Sequence, residues 1–468
     1  MACSSYLLSK KDLCRALVTE LRRTFTYVSV LGTDIRSTQM QVNRRLSNVG
    51  DGTDSERGFV FKLSRGGAFY EYSTDSLEGD PKQIAERITE QLRVDERYRT
   101  ATISPAAVTD EPLVRDFERE SDVDAYSEEE LLTLSAELRD RVLASDEHIL
   151  NAFVILRTLS VSKLFVSEHR TLTQSYAWVN GMMMVLYREG DGKMVQARTG
   201  ANAHLIADVL RELPTKVDAL VEKARHLAHA TPITPGVYDV ITAPSITGLI
   251  AHEAFGHGVE MDMFVKERAL ARSYMGKPVA SPIVNMRDGA AAALSAASYF
   301  FDDDGVLAHD TQIIKDGVLV AGISDLISAG QLGTEPTGNG RRESYKRKAY
   351  SRMTNTFFEA GTDTLEDMIA SIEHGYMLFE TNNGMEDPKN WAIQCVAEYG
   401  IEIEHGKLTD RYVSPVVISG YVPDLLMSIS MISDTVTIEG AGFCGKGYKE
   451  WVRVSDGGPA LKVKVKLG

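Results

Sequence analysis

Apolar residues recur along this chain with two different periods, and the changes of period mark out its elements. Residues 11–24 set Leu13, Leu17, Val18 and Leu21 on one helical face. Residues 82–94 repeat that pattern and predict a second amphipathic helix. Between them, residues 25–31 and the alternating segment 39–72 predict strands and hairpins, with turn signals at Asp51-Gly52 and Gly66-Gly67. The polar stretch 95–124, with Pro105 and Pro112, predicts an irregular connection. Ser127-Glu-Glu-Glu130 is a capping-box start for a helix reaching about Leu143.

From residue 149 to 201 the period falls to two. Short strands around Val154, Leu164, Ala177, Val185 and Gln196 are expected, separated by turns that include Asn180-Gly181 and Gly190-Asp-Gly192. That reads as an antiparallel meander. Residues 203–230 predict helix with a break at Pro214. His226 and His229 within it read as solvated side chains, and Met182 to Met184 as strand packing. Two prolines and a glycine in residues 231–238 place a domain boundary there. The expected fold class is α+β. An N-terminal domain, 1–230, mixes antiparallel strands with long helices. A C-terminal domain, 231–468, is β-rich and antiparallel and carries one functional helix. Within it, Asp302-Asp-Asp-Gly305 reads as an acidic loop before a strand, because the ligand series of a calcium loop is missing. The glycine-rich stretch 333–344 predicts a mobile loop over a site. The basic run 341–348 reads either as a place for an acidic side chain or a C-terminal carboxylate, or as a solvated loop face.

Composition narrows the function classes. The 468 residues carry a formal net charge of −15, which argues against nucleic acid or anionic lipid as a partner. No apolar run approaches the ~20 residues that cross a membrane, and the N-terminus lacks the pattern of a signal peptide. Four scattered cysteines, Cys3, Cys14, Cys395 and Cys444, do not form a disulfide framework and suggest a reducing cytoplasm.

The candidate chemistry lies in His252-Glu-Ala-Phe-Gly-His257-Gly-Val-Glu260, after the apolar run 246–251. A hydrolytic zinc needs three protein ligands, an open position for water and a carboxylate to take the water's proton. Glu253 adjoins the first histidine and suits that base role. Histidines four apart share one face of an α-helix, but five apart they diverge by roughly 140°. His252 and His257 can meet one metal only if the helix is distorted, and Gly256 and Gly258 permit that. Glu260 reads as a ligand, as a hydrogen-bond partner orienting a histidine, or as a surface residue; the second reading is preferred. The third ligand must come from elsewhere. Cys444, in the glycine-flanked turn 442–447, is the strongest candidate, against the alternative of an inert buried thiol.

Four ordered motifs give the chain a family resemblance. They are Gly248-Leu-Ile-Ala-His-Glu-Ala-Phe-Gly-His-Gly-Val-Glu260, Gly338-Asn-Gly-Arg341, Arg352-Met-Thr-Asn-Thr356 and Cys444-Gly-Lys446. Together they resemble the TldD/PmbA family of metalloproteases. The resemblance implies Zn2+ held by His252, His257 and Cys444, with Glu253 as catalytic base. It also implies cleavage of unfolded or extended peptides inside a dimer, either a homodimer or a heterodimer with a metal-free TldE/PmbA-like subunit. The complete ligand set is similar to the TldD-type, catalytic side. Gly338, Asn339, Gly340, Arg341, Arg352, Asn355 and Thr356 are the expected lining of the peptide groove. Two other readings stand beside this one: a non-catalytic peptide-binding or assembly subunit, and a structural zinc protein with Glu260 in the water position.

Overall fold

The computed structural model describes residues 1–93, 99–102, 111–446 and 450–468. The fold is mixed α+β. In the first half, the helices Ser5–Leu21, Pro81–Arg93 and Glu128–Ala144 form where helical periodicity predicts them. Ser127 makes the reciprocal capping box with Glu130. A nine-stranded sheet runs through this half, mostly antiparallel, from Tyr27–Val42 to Val195–Ala203. Its alternation gives each face a different task. Val28, Val30, Leu164 and Val166 pack on the first two helices, whereas Leu31 and Phe165 pack on Phe301 of the second half.

Several expectations need correction. The two central strands are long, Ile149–Ser167 and Arg170–Tyr187, and pair without interruption past Arg157↔Asn180. Asn180-Gly181 is therefore mid-strand and not a turn. Gly181 serves close packing instead: a Cβ there would lie 2.6 Å from Val209 Cγ1 of the overlying helix. The segment 95–124 is not wholly irregular. Arg99–Thr102 and Leu113–Glu118 are strands, the latter parallel to Arg170–Tyr187, while the parts 95–98 and 103–110 lie outside the described residues.

The second half contains a closed ring of five strands. Gly236–Thr242, His374–Asp387, Ala392–Glu404, Val416–Tyr421 and Leu461–Leu467 pair in succession, and the last pairs back with the first. Closure leaves none of these five strands as an edge of the ring, while Lys407–Val413 and Met431–Ile432 pair outside it. A six-stranded sheet lies beside it and ends on the hairpin Thr437–Lys446 and Glu450–Gly458. Cys444 thus sits in an edge strand rather than a turn. One large core spans both sheets and the helix preceding His252.

Two polar segments expected at the surface are buried at the junction of the halves. Asp302, Asp303 and Asp304 are at most 5% exposed. Lys62 and Lys163 of the N-terminal sheet pair with Asp304 and Asp303, and Asp302 accepts backbone N–H groups from Asp304, Val306 and Gly340. The stretch expected to be a mobile loop is pinned at residues 338–342. Arg342 lies 3.2 Å from Glu71, so the basic run does hold a carboxylate, one supplied by the N-terminal sheet.

Candidate metal centre

The segment bearing the histidines starts as an α-helix, Pro244–Leu249, with proline in its first turn. Gly248 lets this helix press on the strand Glu450–Gly458; a Cβ there would lie 2.5 Å from Asp456 Oδ1. The next turn widens into a π-helix, Ile250–Gly256, followed by a 3-10 turn, His257–Val259. The N–H of His257 donates to the carbonyl of His252, an i→i+5 bond. A turn of this width sets residues five apart over one another, so the spacing that fails on a regular helix succeeds here. The two rings lie 5.2 Å apart, edge to face. Gly256 is required by packing, since a Cβ would fall 2.0 Å from Met353 Sδ.

Potential ligand atoms of His252, His257 and Cys444 all lie within 4.8 Å of one another. Cys444 Sγ is 3.3 Å from His257 Nε2. Burial opposes charge on this thiol, but the His257 and His252 rings outweigh it and hold the thiol well below its ordinary range. Correspondingly, burial disfavours charge on His257, and Cys444 and Glu260 together push its pKa well above the usual value. His252 Nδ1 is buried without a partner. Soft sulfur, two imidazole nitrogens and an unmet buried donor site form a set that suits zinc.

Glu260 is 1% exposed and sits 3.3 Å from His257 Nδ1. Lys446 Nζ lies 2.8 Å from the same carboxylate, and Arg352 Nε is 3.8 Å away. Burial raises the Glu260 pKa, but Lys446 and His257 pull it down to about 2. Glu253 is half-buried and turned toward the strand His374–Asp387, where Gly384 leaves it room; a Cβ there would lie 2.5 Å from Glu253 Cγ.

Six of the seven residues expected to line a peptide groove are buried. Arg352 is 1% exposed and donates to the carbonyls of Cys444 and Glu450 at 2.6 and 3.1 Å, fixing the strand that carries the thiol. Asn339 bonds Asp288 and the carbonyl of Arg352, Asn355 bonds the carbonyls of Gly289 and Ala293, and Thr356 bonds Asp288. Gly338 and Gly340 are buried, their backbone groups bonded to Tyr299 and Asp302. These six are buried and bonded mostly within the protein, although Arg352 Nε and Asn355 Oδ1 have no hydrogen-bond partner. Arg341 alone is half-buried and faces a cavity.

Some residues at the centre gave no signal in the sequence. Glu386 presses on Gly258, whose Cβ would lie 3.1 Å from its Oε1, and neither of its carboxylate oxygens has a partner. Burial, aided by Glu253 and Glu260 and opposed by His257, pushes its pKa up to about 9. Asp288 gathers Asn339, Thr354 and Thr356. Lys446 stood in the sequence only as part of the motif Cys444-Gly-Lys446; the strand Thr437–Lys446 puts it on the face of Cys444.

Comparison with known proteins places this centre in a family. Residues 235–467 match the family model described as the PmbA/TldA metallopeptidase C-terminal domain. A protein from Saccharolobus solfataricus, named as a zinc metalloprotease and TldD homologue, is 30% identical over 307 residues, covering 65% of this chain and 68% of its own. The chain belongs to the PmbA/TldD family. A protein from Synechocystis, named a metalloprotease, is 32% identical over 302 residues, 64% of each chain. The chain thus spans about two thirds of the length of these two relatives. Two solved structures share the fold. One, from Thermotoga maritima and described as a candidate modulator of a DNA gyrase, covers 99% of this chain with a TM-score of 0.79 and 19% identity. The other is TldE from Thermococcus kodakarensis, covering 97% with a TM-score of 0.72 and 18% identity. No helix among the described residues is long and apolar enough to cross a membrane.

Proposed function

We propose that the chain is a zinc-dependent metallopeptidase acting on unfolded or extended peptides. His252, His257 and Cys444 are its metal ligands and Glu253 its general base. The observation that carries this reading is the i→i+5 bond from His257 to His252, which turns both rings toward Cys444. No fourth His, Cys, Asp or Glu joins the group among the described residues, which leaves a position for water and disfavours a closed structural site. When bound, zinc would supply Lewis acidity, polarising a peptide carbonyl and acidifying water. Glu253 takes the proton of the attacking water and passes it to the departing amine nitrogen. Glu260 holds His257 by its Nδ1 and so keeps Nε2 available.

The strand Thr437–Lys446 is an edge of its sheet, and among the described residues no strand pairs with its outer side. An extended substrate laid along that edge would gain main-chain hydrogen bonds without sequence demands. The division into an N-terminal domain, 1–230, and a peptidase domain, 231–468, belongs to this proposal. So does pairing with a second copy or with a TldE/PmbA-like subunit. Four free, buried cysteines suit a reducing cytoplasm.

The test is peptide hydrolysis and zinc content of the wild type and Glu253→Gln. The variant is expected to keep zinc and to lose at least ~100-fold in activity. Full activity with zinc retained would remove Glu253 from the base role.

A further inference from the structure

A cavity of about 700 Å³ opens between the N-terminal sheet and the hairpin that carries Cys444. Its size falls within the ~300–1,000 Å³ of ligand sites. Phe443 and Arg453 line it, and they are register partners one residue away from Cys444 and Val452. Cys444 itself is not among the lining residues, although its register partner Val452 is.

The charges on its walls are unevenly matched. Lys163 pairs with Asp303, Arg342 with Glu71 and Arg453 with Asp54. Arg157, Arg341 and Lys346 have no carboxylate partner among the described residues. Arg157 donates to the amide oxygen of Gln39, Arg341 to the carbonyls of Met353 and Arg453, and Lys346 lies 5.4 Å from the Tyr345 ring centre. The carboxylates, by contrast, are engaged. Glu56 accepts from the backbone of Tyr345, and Glu343 from that of Trp451. The unmatched charge on these walls is therefore cationic, carried by Arg157, Arg341 and Lys346. Between the cations the surface is apolar, with Leu159, Val161, Phe443 and Trp451.

We propose that this cavity binds an extended acidic peptide segment, a recognition site separate from the metal ligands. Carboxylates of the segment meet the cations that have no carboxylate partner, and its apolar side chains pack between them. The ligand class rests on the peptidase reading above. Nucleic acid fits less well: its phosphates form an unbroken run, while Asp54, Glu56 and Asp303 interrupt the cations and the chain's formal net charge is −15.

The test uses full-length protein stripped of metal by chelation, so that nothing is cleaved. Fluorescein-labelled Glu-Leu-Glu-Phe-Glu-Ala, its counterpart with glutamine for glutamate, and a thymidylate hexamer are titrated by anisotropy. The acidic peptide is expected to bind at least tenfold tighter than the glutamine peptide, and less tightly as salt rises. Arg157→Gln combined with Lys346→Ala is expected to erase that preference. The single exposed change Lys346→Glu, which does not touch the core, is expected to reduce it. Equal affinity for the two peptides overturns the proposal, as does a preference unchanged by Lys346→Glu or tighter binding of the thymidylate. Hydrolysis by the zinc-loaded protein, or its absence, bears on the proposed activity alone.

Discussion

Glu260 holds His257 from behind: its Oε2 lies 3.3 Å from His257 Nδ1, while His257 Nε2 faces Cys444 Sγ at 3.3 Å. One ring nitrogen is thereby committed to orientation and the other is left for metal. Partners of this kind fix the ring and raise its basicity as a ligand. Glu260→Gln is expected to weaken zinc affinity roughly 10–100-fold. Competition with a chromophoric chelator measures this, and saturating zinc should restore most of the bound metal.

The width of the π-turn depends on a contact outside it. Gly256 faces Met353, and an added methyl would lie 2.0 Å from the sulfur and 3.1 Å from the Ala251 carbonyl. Gly256→Ala is expected to cost about 1–3 kcal/mol through overpacking. Chemical denaturation reads that cost. Zinc content should fall with it, because His252 and His257 depend on the same turn. The double change with Met353→Ala should recover part of both.

Cys444 differs from the other thiols. Burial pushes the Cys14 pKa up to about 12 and raises that of Cys395, while the two imidazoles override burial at Cys444 and lower it. In metal-free protein, iodoacetamide should therefore modify Cys444 first, with a rate that stays high below pH 7. Zinc should protect it. Peptide mapping by mass spectrometry at several pH values measures the order of modification.

The junction of the two halves is electrostatic and buried. Lys62 lies among Asp304 and Glu71, 3.5 Å from the latter. Burial raises the Glu71 pKa, yet Arg342 and Lys62 outweigh it and bring it below 4.5. A carboxylate with a lowered folded pKa adds stability above its unfolded value and loses it as pH falls. Stability should accordingly drop as pH falls below about 4.5. Lys62→Met leaves the buried Asp304 without its cation, while Glu71 keeps Arg342, and is expected to cost about 3–5 kcal/mol. The same variant should flatten the acid limb, as followed by the denaturant midpoint against pH.

The sequence carried the site further than it carried the fold around it. The five-residue spacing of His252 and His257 already demanded an irregular turn, and the glycines marked where it was possible. The reason for Gly256, contact with Met353, is tertiary and left no local trace. Arg352, Asn355 and Thr356 were expected in the groove as members of one motif, and polar side chains default to solvent. Buried partners, Asp288 and main-chain carbonyls among them, reverse that default, and they come from segments remote in sequence. The Asn180-Gly181 turn signal lost to the long register between its strand and Ile149–Ser167. Ring closure between Gly236–Thr242 and Leu461–Leu467 joins the two ends of the second half, which no local pattern encodes.

The central claim is that one zinc is held by His252, His257 and Cys444. Zinc K-edge absorption on the purified protein, with metal content measured in parallel, tests it most directly. The account predicts one zinc per chain, one sulfur at about 2.3 Å and two imidazole nitrogens at about 2.0–2.1 Å, with the sulfur shell lost in Cys444→Ser. No zinc, or a shell with no sulfur in the wild type, would contradict it.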